Sequence, residues 1–230
     1  MKFKIGRAFV IMVVLGVMLS VAGFKDAKMY VEGKVIDLNS ASMEDFRKEC
    51  MVEGDIAYVD GRFATYEEKE KTLGVTTSKR NTHYYLVENI SMADMEKFVN
   101  GEETDEPDNY FTYVVSVSSS DLKAELDANC SGWADFFDGK TNDMPKPVHF
   151  EGKLWAQPKS KEYLKIRNDS LKEVGFDVSE VAEMKVMDAK PDVMSLVLFI
   201  GGIVVALIGA VVIIASFVKS RRKYDDEFYY

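Results

Sequence analysis

The segment VEGDI, residues 52–56, has two near-copies in the chain, VEGKV at 31–35 and FEGKL at 150–154. Each copy places an apolar residue, Glu, Gly, a charged residue and a second apolar residue in the same order. The copies begin 21 and 98 residues apart, and this unequal spacing argues against a tandem repeat. A glycine inside a strand marks a bulge or a close approach of two backbones. We therefore interpret the copies as strands of one sheet, with their glutamates facing solvent.

The chain around these copies alternates between strand patterns and helix patterns. Segments rich in Val, Ile, Tyr and Phe and bounded by polar or Gly/Pro turns predict strands at 28–38, 53–64, 82–90, 110–118, 147–156 and 181–188. Serine caps followed by apolar residues at helical spacing predict helices at 40–50, 91–101, 120–130 and 160–175. Because strands and helices do not strictly alternate, we expect an α+β domain. It would contain a mainly antiparallel sheet or small barrel plus several short helices.

Two apolar segments frame this domain. Residues 193–218 are uncharged over 26 positions and predict a transmembrane helix, since a bilayer core of about 30 Å needs roughly 20 helical residues. Residues 8–24 are uncharged over 17 positions, which is at the short end of that range. We interpret them as a retained anchor. A cleavable signal peptide is the alternative, because a basic start precedes the apolar run and small residues follow at Ser20 and Ala22.

Positive residues predict the orientation of both segments. They flank the two apolar runs on the sides away from the central domain, at Lys2, Lys4, Arg7, Lys219, Arg221, Arg222 and Lys223. Lys and Arg resist translocation, so residues 1–7 and 219–230 are expected in the cytoplasm and residues 25–192 outside. The prediction is a protein of the cytoplasmic membrane with two helices, or with one if the first segment is cleaved.

The outer domain is strongly acidic. Residues 25–192 contain 22 Lys and Arg against 35 Asp and Glu, a net charge of −13. Such a domain repels nucleic acid and anionic lipid, so a nucleic-acid partner is excluded. The simplest interpretation is that the negative charge only keeps the surface solvated. A more specific interpretation is that it attracts cations or a basic partner. The most acidic stretch, 100–109, predicts an exposed loop.

The two cysteines, Cys50 and Cys130, both fall in the outer domain. An even number of cysteines outside the cytoplasm permits one disulfide, which would close a loop of about 80 residues and stabilise the fold by a few kcal/mol. The alternative is a pair of buried thiols at helix ends. Two cysteines alone do not decide between these.

The chain offers few residues for catalysis or metal binding. Its two histidines, His83 and His149, fall in predicted strands without a second His or a Cys at ligand spacing, which favours structural roles. The segment DGKTND, 138–143, lacks the spacing of a calcium loop and predicts a turn. Nucleophile-elbow and phosphate-loop patterns are absent from the sequence. We therefore assign no catalytic residues, no metal and no cofactor, and an enzyme is the minority hypothesis.

The second apolar segment carries a stripe of small residues at every fourth position, Gly202, Ala206 and Ala210. Such a stripe lets another helix approach closely. Candidates for that helix are the first segment at Gly16 and Ser20, a second copy of the chain, or another membrane protein.

Two longer stretches resemble a known family. They are EGDIAYVDGRFATYEEKEKTLGVTTSKRNTHYYLVENI (53–90) and FEGKLWAQPKSKEYLKIRNDSLKEVGF (150–176). The matching features are the glycine before the second strand, GVTTSK before a tyrosine-rich strand, and the EGKL strand followed by a helix ending in GF. The chain thereby resembles a domain-of-unknown-function family of membrane-anchored proteins, mainly from Gram-positive bacteria. The resemblance implies a bacterial cell-envelope protein and supplies no catalytic residues.

Two functions follow as hypotheses. The first is a non-enzymatic module that presents an acidic domain outside the membrane for a partner or an envelope complex. The second is an envelope hydrolase with a carboxylate-based site among the acidic loops. A cleft with two carboxylates of raised pKa would favour the hydrolase, whereas an acidic face with satisfied polar groups would favour the module.

Overall fold

The computed structural model describes residues 2–72, 75–102 and 111–227, so residues 103–109 of the predicted acidic loop lie outside the described residues. The chain divides into two units. One unit comprises Met1–Gly33 with Pro191–Tyr230, and the other is Lys34–Lys190.

The first unit consists of two long helices, α1 (Lys2–Glu32) and α5 (Val193–Glu227). Both are long and apolar enough to cross a membrane, over residues Ala8–Glu32 and Val193–Lys219. Over residues 8–24 and 193–218 the two helices carry no charged residue on any side, as expected for segments that cross a membrane. Helix α1 extends through residues 28–32, so the prediction of a strand beginning at 28 was wrong.

Glycines allow α1 and α5 to pack closely. A Cβ on Gly16 would lie 2.6 Å from the Gly202 carbonyl oxygen, and one on Gly209 would lie 2.8 Å from Cγ2 of Val13. Ser20 adds a hydrogen bond from its hydroxyl to the Phe199 carbonyl at 3.3 Å. Larger residues at these glycines would force the two backbones apart.

The second unit is an α+β domain built on one mixed sheet of seven strands, which confirms the predicted class. The strands are β1 (Val35–Asp37), β2 (Met51–Ile56), β3 (Tyr58–Thr72), β4 (Val75–Glu88), β5 (Thr112–Val117), β6 (Val148–Ala156) and β7 (Val181–Met187). Their spatial order is β1-β2-β6-β7-β5-β4-β3. Four of the six neighbouring pairs are antiparallel, while β1–β2 and β5–β7 are parallel. The sheet is open, with β1 and β3 at its edges, rather than the barrel offered as an alternative.

Two of the three motif copies pair with each other. In the antiparallel pair β2–β6, Val52 lies opposite Gly152, Glu53 opposite Glu151, and Gly54 opposite Phe150. The third copy, 31–35, spans the end of α1 and the first residue of β1. The motif therefore marks strand interiors in two places and a helix end in the third.

Alternation along the strands divides the sheet into two faces. On the first face, a large core gathers apolar residues from all seven strands and Leu126 of α3 (Ser120–Phe137). On the second face, α4 (Lys161–Val174) covers part of β4, β5 and β7 through Tyr163 and Leu171. A smaller cluster joins α3 to α2 (Met92–Val99) through Trp133 and Met95.

The predicted strand 53–64 is two strands, because the ladder is interrupted at Ala57: β2 pairs with β6, whereas β3 pairs with β4. The Ala57 carbonyl accepts hydrogen bonds from Trp133 Nε1 at 2.8 Å and from Asn129 Nδ2 at 3.1 Å. Asn129 also accepts from the Val59 amide at 3.2 Å. Two side chains of α3 thus satisfy the backbone that the break would leave unpaired.

The predicted helices differ in how well they match. Helices α2 and α4 begin after the caps Ser91 and Ser160, and α4 ends at Gly175 in the left-handed conformation, as expected. Helix α3 extends to Phe137, beyond the predicted end. The prediction of a helix over 40–50 was wrong, since that segment contains a single 3₁₀ turn at Asp45–Arg47.

Candidate functional site

An acidic face occupies the half of the second sheet face around β1, β2 and β6. We define it by the exposed polar residues that these strands present, Asp37, Glu53, Asp55, His149 and Glu151. They alternate with core residues such as Val52 and Phe150. The register places Asp55 opposite His149 and Glu53 opposite Glu151. Residues 94 to 98 positions apart in the chain are therefore cross-strand neighbours.

His149 is the centre of a small charged network. Its Nδ1 lies 2.9 Å from Oδ1 of Asp55, and its Nε2 lies 3.9 Å from Oε1 of Glu151. The hydrogen bond to Asp55, followed by the nearby carboxylate charges, raises the pKa of His149 above its usual value. The other carboxylate oxygen of Glu151 forms an ion pair with Lys190. This contact lowers the pKa of Glu151.

A cleft of about 320 Å³ adjoins the network. Its lining residues are Val35, Asp37, Asn39, Glu53, Gly54, Asp55 and His149. Asn39 holds the floor in place, because its Oδ1 accepts a hydrogen bond from the Asp55 amide at 2.8 Å. A Cβ at position 54 would lie 2.7 Å from the same oxygen, so only glycine lets the two segments meet. The motif glycine thus shapes the cleft wall.

Three side chains of the acidic face have the chemistry of metal ligands. Glu53, His149 and Glu151 each offer one ligand atom, and these atoms all lie within 4.8 Å of one another. Their positions follow from two strands that project alternate side chains to the same face. The sequence prediction assigned His149 a structural role among apolar neighbours. The structure instead leaves its side chain 60% exposed.

Asp60 does not line the cleft, but its carboxyl group has a strongly raised pKa. Burial raises the pKa of Asp60 to about 8, and the charge of Glu88 and a hydrogen bond with it act in the same direction. Its Oδ2 is buried without a hydrogen-bond partner among the described residues. Burial and these carboxylates also raise the pKa of Tyr58 to about 12. Burial and the neighbouring Glu88 carboxylate therefore favour the protonated form of Asp60.

The other histidine has a different environment. His83 Nδ1 lies 3.0 Å from the Thr65 hydroxyl across the β3–β4 ladder. Desolvation, followed by the charges of Arg62 and Lys123, lowers its pKa. His83 and His149 therefore respond to opposite electrostatic surroundings, and only His149 belongs to the acidic face.

The two cysteines carry free thiols in the structure. Cys50 is buried in the main core, and Cys130 is half-buried in α3, where its Sγ donates to the Asp60 carbonyl at 3.5 Å. Burial raises the pKa of both thiols. Raised thiol pKa values disfavour the reactive thiolate, which argues against a nucleophilic role.

The small residues of the second apolar segment face α1 of the same chain. A Cβ on Gly202 would lie 2.5 Å from the Gly16 carbonyl oxygen and 2.5 Å from the Ser20 hydroxyl. A Cβ on Gly16 would lie 2.6 Å from the amide nitrogen of Ala206. Ala210 is half-buried, and the next close approach is at Gly209.

The acidic face was not predicted from sequence because its members come from distant segments. The signal was nevertheless present in the repeated motif, whose glutamates at 53 and 151 are directly opposite each other. Pairing the two copies of the motif would have brought His149 and Asp55 together as well.

No family model, curated protein or solved structure matches the chain. The resemblance to a bacterial membrane family stays a prediction.

Proposed function

We propose that the chain is a membrane-anchored binding module that presents its acidic α+β domain outside the cytoplasmic membrane, as an accessory component of a cell-envelope complex. The observation that carries this proposal is the arrangement along the chain. An acidic folded unit, Lys34–Lys190, lies between two helices long and apolar enough to cross a membrane. In this proposal, the helix at each end of the unit anchors it to the membrane.

The orientation is supported by charge. Basic residues precede the first apolar helix and follow the second, and their resistance to translocation favours cytoplasmic termini. The folded unit then faces the opposite side.

The acidic face favours binding over hydrolysis. Two of its carboxylates already have partners in the structure, Asp55 with His149 and Glu151 with Lys190. The carboxylate with a strongly raised pKa, Asp60, is not among the residues that line the cleft. The hydrolase alternative calls for such a carboxylate where a substrate can reach it. The geometry therefore gives more support to a surface that binds.

The test is crosslinking in intact membranes, followed by recovery through the C-terminal tail and mass spectrometry. We expect one membrane or envelope protein in stoichiometric amount, and the same spectra would show that residues 1–22 are retained. Recovery of the chain alone or self-associated would overturn the accessory role and direct work to hydrolase assays on the cleft.

A pair of charge-reversal variants locates the contact surface. Asp55→Lys alters the acidic face, and Glu173→Lys alters an exposed position on α4. If the partner binds the acidic face, we expect Asp55→Lys to abolish recovery of the partner and Glu173→Lys to preserve it. Equal recovery in the two variants would place the contact elsewhere.

A further inference from the structure

We propose that Glu53, His149 and Glu151 form a binding site for a divalent transition-metal ion, with Zn²⁺ as the best match. The site belongs to the folded unit Lys34–Lys190 alone. It goes beyond the proposed function and does not depend on the orientation in the membrane or on a partner.

The hydrogen bonding of His149 prepares this side chain to act as a metal ligand. Asp55 accepts a hydrogen bond from Nδ1 at 2.9 Å, which directs the imidazole and leaves the Nε2 lone pair available when the ring is neutral. A carboxylate on the far ring nitrogen is the usual support of a metal-bound histidine. Nε2 points toward Oε1 of Glu151 at 3.9 Å, which is too long for a hydrogen bond. Two ligands that each bind zinc at about 2.0–2.2 Å in a tetrahedral site lie roughly 3.4 Å apart, so a small movement of the side chains would let both atoms bind one ion.

The two carboxylate oxygens of Glu151 have different neighbours. One of its oxygens is held by Lys190, and the other faces His149. A ligating carboxylate is commonly fixed in this way by a hydrogen bond to its second oxygen. Lys190 therefore orients Glu151 and leaves one oxygen for the ion.

The charges of the three side chains also favour a bound cation. The register places Glu53 directly opposite Glu151, and like charges at directly opposite positions destabilise a sheet. The third member, His149, is neutral when it acts as a ligand, so the trio carries two negative charges. Lys190, which is paired with Glu151, offsets part of this charge, and a divalent cation would neutralise the remainder and reduce the repulsion between the strands.

The choice of ion follows from the ligand types. One imidazole nitrogen with two carboxylate oxygens suits zinc better than calcium, which prefers six to eight oxygen ligands. Three protein ligands leave a fourth position open. Glu53 and His149 also line the cleft of about 320 Å³, so water or a small anionic ligand can reach that position.

The experiment is a titration of the full-length, untagged chain in detergent micelles after treatment with a chelator. Zn²⁺ binding is followed by calorimetry, and Co²⁺ binding is followed by absorption. We expect one ion per chain, and a Co²⁺ spectrum without the charge-transfer band that ligation by Cys50 or Cys130 would produce. His149→Ala and Glu151→Gln are expected to weaken binding at least about 100-fold, and Asp55→Asn about 10- to 100-fold.

His83→Ala is the matched control, since it removes the other histidine, which also lies in a strand. It is expected to bind like the unmodified chain, and circular dichroism checks that each variant is folded. The proposal is overturned if the unmodified chain shows no saturable binding, if His149→Ala binds normally, or if His83→Ala loses binding equally.

Discussion

Gly152 shows how one residue of the sheet is restricted to a single amino acid. A Cβ at this position would overlap the Met187 carbonyl of the neighbouring strand β7 and lie 2.7 Å from the Phe150 ring. The atom it would meet is backbone in a central strand, which cannot move aside without breaking the ladder. The glycine that sequence analysis interpreted as a close approach of two backbones therefore has that role.

We expect Gly152→Ala to destabilise the folded unit by about 3 kcal/mol, because an extra methyl group in a packed site forces backbone shifts. Gly61→Ala is the control, since Gly61 also lies in a strand but a Cβ there meets nothing within 4 Å. Denaturant unfolding of both variants measures the difference. Similar free energies of unfolding for the two would show that the sheet adapts to the added methyl.

Asp60 makes stability depend on pH. Its pKa is about 8 in the folded chain against an ordinary value of 3.8, so the folded state binds more protons between these limits. The free energy of unfolding therefore falls as pH rises from about 4 to about 8, and the stabilising proton is fully lost above that range.

Asp60→Asn is expected to flatten this fall, because an amide keeps the shape and a hydrogen-bond donor without titrating. Asp169→Asn, at an exposed position on α4, should leave the fall unchanged. Unfolding curves at several pH values measure how steeply the free energy of unfolding falls in each variant. The assignment would be wrong if the slope for Asp60→Asn matched that of the unmodified chain.

At the scale of elements, local signals predicted what local interactions determine. Ser91 and Ser160 accept hydrogen bonds from backbone amides of their own first helical turns, so the caps of α2 and α4 could be found from sequence. The interruption of the strand at Ala57 could not be predicted from sequence. Its carbonyl accepts hydrogen bonds from Asn129 and Trp133, which are more than 70 residues away.

The helix predicted over 40–50 is not formed, for a similar reason. Asp45 does accept hydrogen bonds from Ser42, as a capping pattern would suggest. The segment is not continued as a helix, since Phe46 is fully buried in the main core. Tertiary packing thus overrode the local preference.

The α1–α5 pair provides an element-scale prediction. Gly202→Leu is expected to separate the helices, whereas Gly201→Leu is not, since a Cβ at Gly201 meets nothing within 4 Å. The readout is a disulfide between Asp26→Cys and Ser195→Cys, whose native side chains lie 3.4 Å apart (Ser195 Oγ to Asp26 Oδ2), in a chain with Cys50→Ser and Cys130→Ser. We expect Gly202→Leu to reduce its formation about tenfold, by the loss of close helix packing.

The crosslink is scored on a non-reducing gel after a protease cut between the two helices, because only bonded fragments stay together. Equal crosslinking in both leucine variants would mean that the pair does not depend on the Gly202 contact.

At the scale of the molecule, composition and apolar length predicted an α+β unit bounded by apolar helices. The order of the strands was beyond that reasoning. Two neighbouring pairs are parallel, and β6 lies between β2 and β7. Such pairings depend on which faces bury apolar area together, and the sequence does not reveal them strand by strand. The acidic face was missed for the same reason, since β2 and β6 create it only by pairing.

The proposed orientation predicts where a membrane-impermeant maleimide reacts. In a chain with Cys50→Ser and Cys130→Ser, we expect Asp121→Cys to be labelled in intact cells, because Asp121 is exposed in the folded unit. Ser220→Cys, in the basic tail, should be labelled only after permeabilisation. The reverse pattern would invert the orientation and would contradict the charge argument.

The place of β7 in the sheet has a consequence for the order of synthesis. Strands β1, β2 and β6 form one side of the sheet, and β3, β4 and β5 form the other, with β7 between them. This joining strand is the last of the seven to be synthesised, and only α5 and the tail follow it in the chain. Until then the nascent chain exposes two unpaired strand edges, which are open to wrong partners. A chain cut short before residue 181 would therefore hold two half-sheets that share no strand pairing and are connected by the continuous chain, which passes from β2 to β3 at Ala57.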